Sequence, residues 1–131
     1  RDKLILDERE KQAAAAIVAV LFTSRDQAHR AHLLRKSSAQ HLALGEFYDA
    51  VVDLADSLAE VTMGTYGAFT EIPVEPPARG AIDAALEAHL NKIEDLRAAF
   101  GGKACDRPIE NLLDEVGALF AQTLYKLRNL S

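Results

Sequence analysis

Apolar residues recur at helical spacing through almost the whole chain, in four blocks separated by polar, glycine or proline breaks. In the first block, from about Leu4 or Asp7 to Leu34, Ala13, Ile17, Leu21, Ala28 and Ala31 form one stripe. Val18, Phe22, Arg25, His29 and His32 form an adjoining one. His29 and His32 continue a line of apolar residues at i, i+3 spacing, which points to an interior or an interface. The second block, Ser37 to Met63, places Phe47, Val51, Leu54, Ala55 and Leu58 on one side. Asp49, Asp53, Asp56 and Glu60 fall on the other within an arc of about 60°. His41 lies near this helix's start, about one turn off the acidic stripe. Ser37 or Ser38 is a suitable N-cap. The short break at residues 35–38 makes the first two helices antiparallel neighbours, and glycines at 64 and 67 end the second.

Residues 68–80 hold three of the four prolines and no helical period. So long a connection reads as a crossover running the length of a bundle, which lets helix three lie parallel to helix two. The third block, Ala81 to Phe100, turns Ile82, Ala85, Leu86, His89, Ile93, Leu96 and Phe100 inward, with His89 read as a hydrogen-bonded core histidine. Gly101 and Gly102 end it. Helix four opens at Cys105 or Asp106, with Pro108 in its first turn. Its core stripe is Ile109, Leu112, Leu113, Val116, Leu119, Phe120, Leu124 and Leu127, and Gly117 within it predicts a close helix approach. The expectation is an all-α chain, one domain over residues 1–131: a four-helix bundle with a long crossover between helices two and three, the ferritin-like arrangement.

The alanine- and leucine-rich composition without tryptophan fits that expectation. A net charge of −5 argues against a direct nucleic-acid surface, and no apolar run is long enough for a membrane span. One cysteine, Cys105, excludes an internal disulfide and fits a reducing, cytoplasmic setting; it reads as a loop thiol without a role. The chain lacks a start methionine and a signal-peptide pattern, so a trimmed or processed piece of a longer product is expected.

Histidines with aspartate and glutamate form a ligand set for iron, manganese or zinc. The Glu-x-x-His pairs that build di-iron centres inside single bundles are absent, since Leu86 stands three residues before His89. His41 and Glu60, on one helix, are about 28 Å apart at 1.5 Å per residue. They cannot meet within one chain. Two copies of the helix packed antiparallel about a twofold would bring His41 of one near the 56–60 end of the other, with Asp49 near the axis and Gly45 near position 53 of the second copy. The site would then occur twice per dimer.

His29, His41, Asp56 and Glu60, at intervals of 12, 15 and 4 residues, resemble the ferroxidase ligands of the Dps mini-ferritins, in which histidines of one subunit and carboxylates of its twofold mate share iron. The text from His41 to Tyr48 and from Leu54 to Glu60 is similar as well. Residues 28–60 look closest to small phage-encoded ferritin-like proteins. The resemblance implies His29, His41, Asp56 and Glu60 as metal ligands. His32 is an alternative to His29, and Asp49 and Asp53 are secondary candidates that otherwise serve as solubilising charges. It further implies Fe as the metal, as a di-iron or mononuclear site, with Zn or Mn as alternatives. The assembly would be a homodimer at least, or a larger homo-oligomer, that binds and oxidises Fe(II) in the cytoplasm. The alternative is a non-catalytic ferritin-like structural or assembly protein, such as a phage particle component, with a vestigial site. The family's acid four residues after the second histidine is here Gly45.

Overall fold

The computed structural model describes residues 2–131, with side chains described from Glu8 onward, and among these residues the only regular elements are helices. They are α1 (Asp2–Leu34), α2 (Ser38–Tyr66), α3 (Ile82–Arg97) and α4 (Arg107–Asn129), with a 3₁₀ turn at Ala104–Asp106 ahead of α4. α1 starts somewhat before the Leu4 or Asp7 expected. α2 runs three residues past Met63, through Gly64, and stops where Gly67 takes φ 104°, with its N–H on the Met63 carbonyl. α3 is shorter than the apolar spacing indicated, because Ala98–Phe100 tighten into turns bonded to the carbonyls of Asp95, Leu96 and Arg97.

Each helix packs on two others, in the order α1, α2, α4, α3 around the bundle. Polar contacts fix the directions. Gln40, at the start of α2, bonds the Leu127 carbonyl near the end of α4 (3.3 Å), while Tyr66 at the other end of α2 meets Asp106 ahead of α4. Arg128 closes α4 against Asp83 and Glu87 in the first turns of α3. His89 of α3 reaches Gln27 of α1. Neighbouring helices are therefore antiparallel, and the connection from α2 to α3 returns the chain to the opposite end of the bundle.

That connection lies along α1. Thr23 donates to the Glu75 carbonyl (2.6 Å). The Gln27 amide donates to the Ala78 carbonyl (2.9 Å) and accepts from the Ala78 N–H (3.1 Å), as a paired backbone would. This cover explains why the apolar run at residues 13–21 has no wet face: Ala15 and Ala19 are buried together with Ile17, Val18, Val20 and Leu21. Phe22 sits at the edge of the covered zone and stays 41% exposed.

The core is one continuous cluster. At its centre Phe47 of α2 meets Phe120 of α4 edge to face at 4.9 Å, both fully buried, among Leu21, Leu44, Leu58, Leu86, Ile93 and Leu113. Gly117 marks no close approach, contrary to its sequence reading. A Cβ there would meet only the Glu94 carboxylate, at an ordinary 3.9 Å. Among the described residues, no helix is long and apolar enough to cross a membrane.

Candidate functional site

The α1–α2 hairpin places three histidines together. α1 ends at Leu34, and Ser37 caps α2 by accepting the Gln40 N–H at 3.3 Å. The reversal is so tight that His32, in the last turn of α1, faces His41, in the first turn of α2. His32 Nδ1 donates to the His41 carbonyl (2.6 Å) and His41 Nδ1 donates to the His32 carbonyl (2.7 Å). A carbonyl only accepts, so both rings carry their proton on Nδ1, and the neutral form of each has its lone pair on Nε2. The His32 carbonyl is one of the last in α1 and lacks an onward helical partner; the His41 ring supplies one. The two rings stack at 3.7 Å with 21° between their planes.

Tyr48, two turns along α2, holds the remaining members. His29 stacks on it at 4.2 Å and 12°, and His32 meets it edge-on at 5.3 Å. The Arg25 guanidinium lies 5.7 Å above its centre. His29 and His32 are 6.4 Å apart between ring centres. His29, His32 and Tyr48 are half-buried and His41 is exposed, so the cluster forms the outer surface of the hairpin and not the bundle interior. Gly45 makes it possible: a Cβ at that position would stand 3.0 Å from His32 Cε1 and 3.2 Å from Nδ1. The position where the resemblance leads one to expect an acid is thus the floor beneath the His32 ring.

Of the residues singled out from sequence, the chain unites His29, His32 and His41. Asp49, Asp53, Asp56 and Glu60 are all exposed along α2. Asp56 and Glu60 are about 22 and 28 Å from His41 along the helix axis. Among the described residues, no three His, Cys, Asp or Glu side chains of one chain converge to hold a metal ion. The donor chemistry available on one chain is imidazole, which suits Zn, Cu, Fe or Ni, and the hard carboxylates stand apart at the other end of the same helix.

A second polar cluster, not evident in the sequence, closes the opposite end of the bundle. The Tyr66 hydroxyl donates to Asp106, whose other oxygen accepts the Gly101 N–H at 3.2 Å. Asp106 and Glu10 are each 1% exposed. Lys103 pairs with Glu10 at 2.6 Å and lies 5.0 Å over the Tyr66 ring. The second Glu10 oxygen is buried without a partner. Cys105, exposed in the 3₁₀ turn, has its thiol 3.7 Å from the Tyr66 hydroxyl. Burial first, then the hydrogen bond to Asp106 and the nearby Glu10 carboxylate and Cys105 thiol, push the Tyr66 phenol far above its ordinary range. The hydrogen bond to Glu10 holds the Lys103 ammonium in its charged form. Glu10 follows a run of charged residues that reads as solvated surface, and nothing in the sequence pairs it with positions 66, 103 and 106.

No curated protein and no solved structure matches this chain. Residues 32–127 match a family of unknown function, DUF5856. The matched region contains His32, His41, Gly45, Tyr48 and the acidic stripe of α2, and it spans most of the chain: the protein belongs to the DUF5856 family.

Proposed function

We propose that the protein is a ferritin-like metal-binding bundle in which two copies build each site: the histidines of one hairpin and Asp56 and Glu60 of the other, with Fe(II) as the substrate oxidised there. The observation that carries this reading is the layout of one outer face. His29 and His41 occupy the hairpin end of the α1–α2 pair, half-buried or exposed, and Asp56 and Glu60 stand exposed near the far end of α2. Positions 41, 45, 48, 52, 56, 59 and 63 follow one line along α2 at i+3 and i+4 steps. Between the polar ends that line holds Gly45, Tyr48 and Val52, small or apolar residues that are only partly buried and suited to meeting a second helix. An antiparallel twofold mate would set carboxylates against imidazoles at both ends. The order of the helices and the connection lying along α1 support the ferritin-like label.

The residues fit a divalent transition metal by donor type, two or three imidazoles with two carboxylates. Bound there, iron would supply electron transfer to an oxidant such as O₂ or peroxide. The protein would supply fixed nitrogen donors, and its carboxylates would favour the more highly charged Fe(III) product. The test is light scattering for the assembly, with iron content and Fe(II) oxidation rate of the purified protein against the Asp56→Ala, Glu60→Ala double variant. The reading expects a dimer or larger assembly whose iron binding and oxidation depend on both acids. A monomer, or equal rates in the two proteins, overturns it.

A further inference from the structure

We propose that the outer face of α1 is the centre of the contact between two copies of the chain. Phe22, with Ile72 and Val74 of the connection lying along α1, forms an apolar patch that the same patch of a second copy covers, and the Arg25 guanidinium of each copy meets the Phe22 ring of the other. The inference rests on the shared-site reading above and names what holds its two copies together.

Three observations carry it. First, apolar surface stands open beside the histidine face. Phe22 is 41% exposed, Ile72 40% and Val74 95%, and with Pro73 they line one groove of about 450 Å³ between α1 and the connection. Second, the patch is electrically neutral. The carboxylates beside it are engaged within the chain, Asp26 by Arg30 at 2.8 Å and Glu75 by Lys92 at 2.7 Å. Such a surface suits an identical apolar one and not a charged partner. Third, it lies at the right level. With His41 of one copy opposite positions 56–60 of the other, the twofold crosses α2 level with positions 49 and 50. His32 beside His41 and Arg25 over Tyr48 align α1 against α2, which carries that level to positions 23 and 24 of α1. Thr23 holds the Glu75 carbonyl at 2.6 Å, so the connection passes the same level next to Val74. At 1.5 Å per residue, Phe22 then stands only about 4.5 Å along the helix direction from its own copy.

A twofold that lays α2 antiparallel on its copy runs between the two faces at right angles to the helices, so the elements beside α2 also lie over their own counterparts. α1 thus meets α1 of the second copy, with Phe22 of one level with Arg25 of the other. That guanidinium already lies 5.7 Å over the Tyr48 ring, and its Nε is buried without a hydrogen-bond partner. Phe22 of the second copy gives it a second aromatic face and removes it further from water, where a cation–π contact is strongest.

The experiment uses the full chain. Sedimentation velocity across a concentration series, with circular dichroism to verify folding, compares the wild type with Phe22→Ser and Val74→Ser, two exposed positions outside the core. Phe22→Ser should raise the dissociation constant of the twofold pair at least about tenfold, the effect of removing a buried aromatic anchor, and Val74→Ser should raise it in the same direction. Phe22→Cys in a Cys105→Ser background, treated with a short bismaleimide, should give a covalent dimer. Leu34→Cys in that background, about 32 Å from its own copy along the helices, should not. A wild-type dissociation constant in Phe22→Ser, or crosslinking as strong at Leu34→Cys as at Phe22→Cys, overturns the patch; the shared site still stands if the Asp56→Ala, Glu60→Ala variant loses iron. Weakened assembly of Phe22→Ser, with iron oxidation indifferent to the loss of both acids, upholds the patch and overturns the shared site. A monomeric wild type overturns both.

Discussion

Tyr66→Phe removes one hydroxyl and keeps the ring, so it deletes the hydrogen bond to Asp106 together with the weaker contact to the Cys105 thiol. Asp106 is 1% exposed, and its other oxygen accepts a single backbone N–H, from Gly101. The loss is therefore that of a buried, charge-assisted hydrogen bond, about 1.5–3 kcal/mol. An unfolding entropy of about 2.1 cal/mol/K per residue, applied to 131 residues, gives about 0.3 kcal/mol/K and a Tm lower by about 5–10 °C. The assay is calorimetric or circular-dichroism melting with urea titration at pH 8. The pH dependence provides an independent check. The folded Tyr66 phenol keeps its proton far above 10.0, its ordinary value. As pH rises past 10 the unfolded wild-type chain ionises Tyr66 while the folded chain does not, so this contribution to stability is full below pH 10 and drains away above it. The variant has no phenolic proton to lose at this position, and the other two tyrosines are common to both proteins. The stability gap between wild type and variant must accordingly narrow from pH 10 upward. A Tm change under about 2 °C at pH 8, or a gap that widens with alkali, refutes the account of this cluster.

Three further outcomes follow from the geometry. Burial, aided by Lys92 and opposed by Glu75, holds the His89 imidazole below its ordinary 6.5. Its stabilising contribution is full above pH 6.5 and fades as pH falls through the folded value, so urea titrations between pH 7 and 5 should show His89→Gln losing less stability with acid than wild type. Phe120→Ala, which empties the fully buried partner of Phe47, should cost about 3–5 kcal/mol by denaturant titration; a loss under about 1 kcal/mol would contradict the packing. Gln27→Ala cuts both bonds to Ala78 and the one to His89, so limited proteolysis within residues 68–80 should quicken several-fold while the melting of the helices shifts by about 1–2 kcal/mol equivalent; unchanged cleavage would show that the connection is held elsewhere.

Helical periodicity is enough to find all four helices and most of the core, because burial on one face imposes a spacing that survives in a single sequence. It misplaces what depends on covering from outside. Ala15 and Ala19 are buried because residues 68–80 lie over α1, and no local pattern announces that contact. Gly117 misleads, since a small residue in a helix signals close approach only if a neighbour arrives, and none does. The pairing of His32 with His41 is hidden for a different reason. Their spacing of nine residues across a turn fits no helical period, and only the tightness of the 35–37 reversal brings the rings together. Glu10 of α1, Tyr66 of α2, and Lys103 and Asp106 ahead of α4 come from three separate segments, so only tertiary structure could join them.

The two polar clusters sit at opposite ends of the bundle and differ in how they are held. The buried one joins residues 93 positions apart, Glu10 and Lys103, and so exists only when the whole bundle is formed. The histidine pair needs only the hairpin: its Nδ1 bonds run to the backbone of residues 32 and 41, and its floor is Gly45. Groups tied to a local backbone keep their geometry when distant contacts change, and contributions from sites well beyond about 10 Å apart add independently. The hairpin is therefore the part of the molecule where side chains can be exchanged without disturbing the core that fixes α1 against α2.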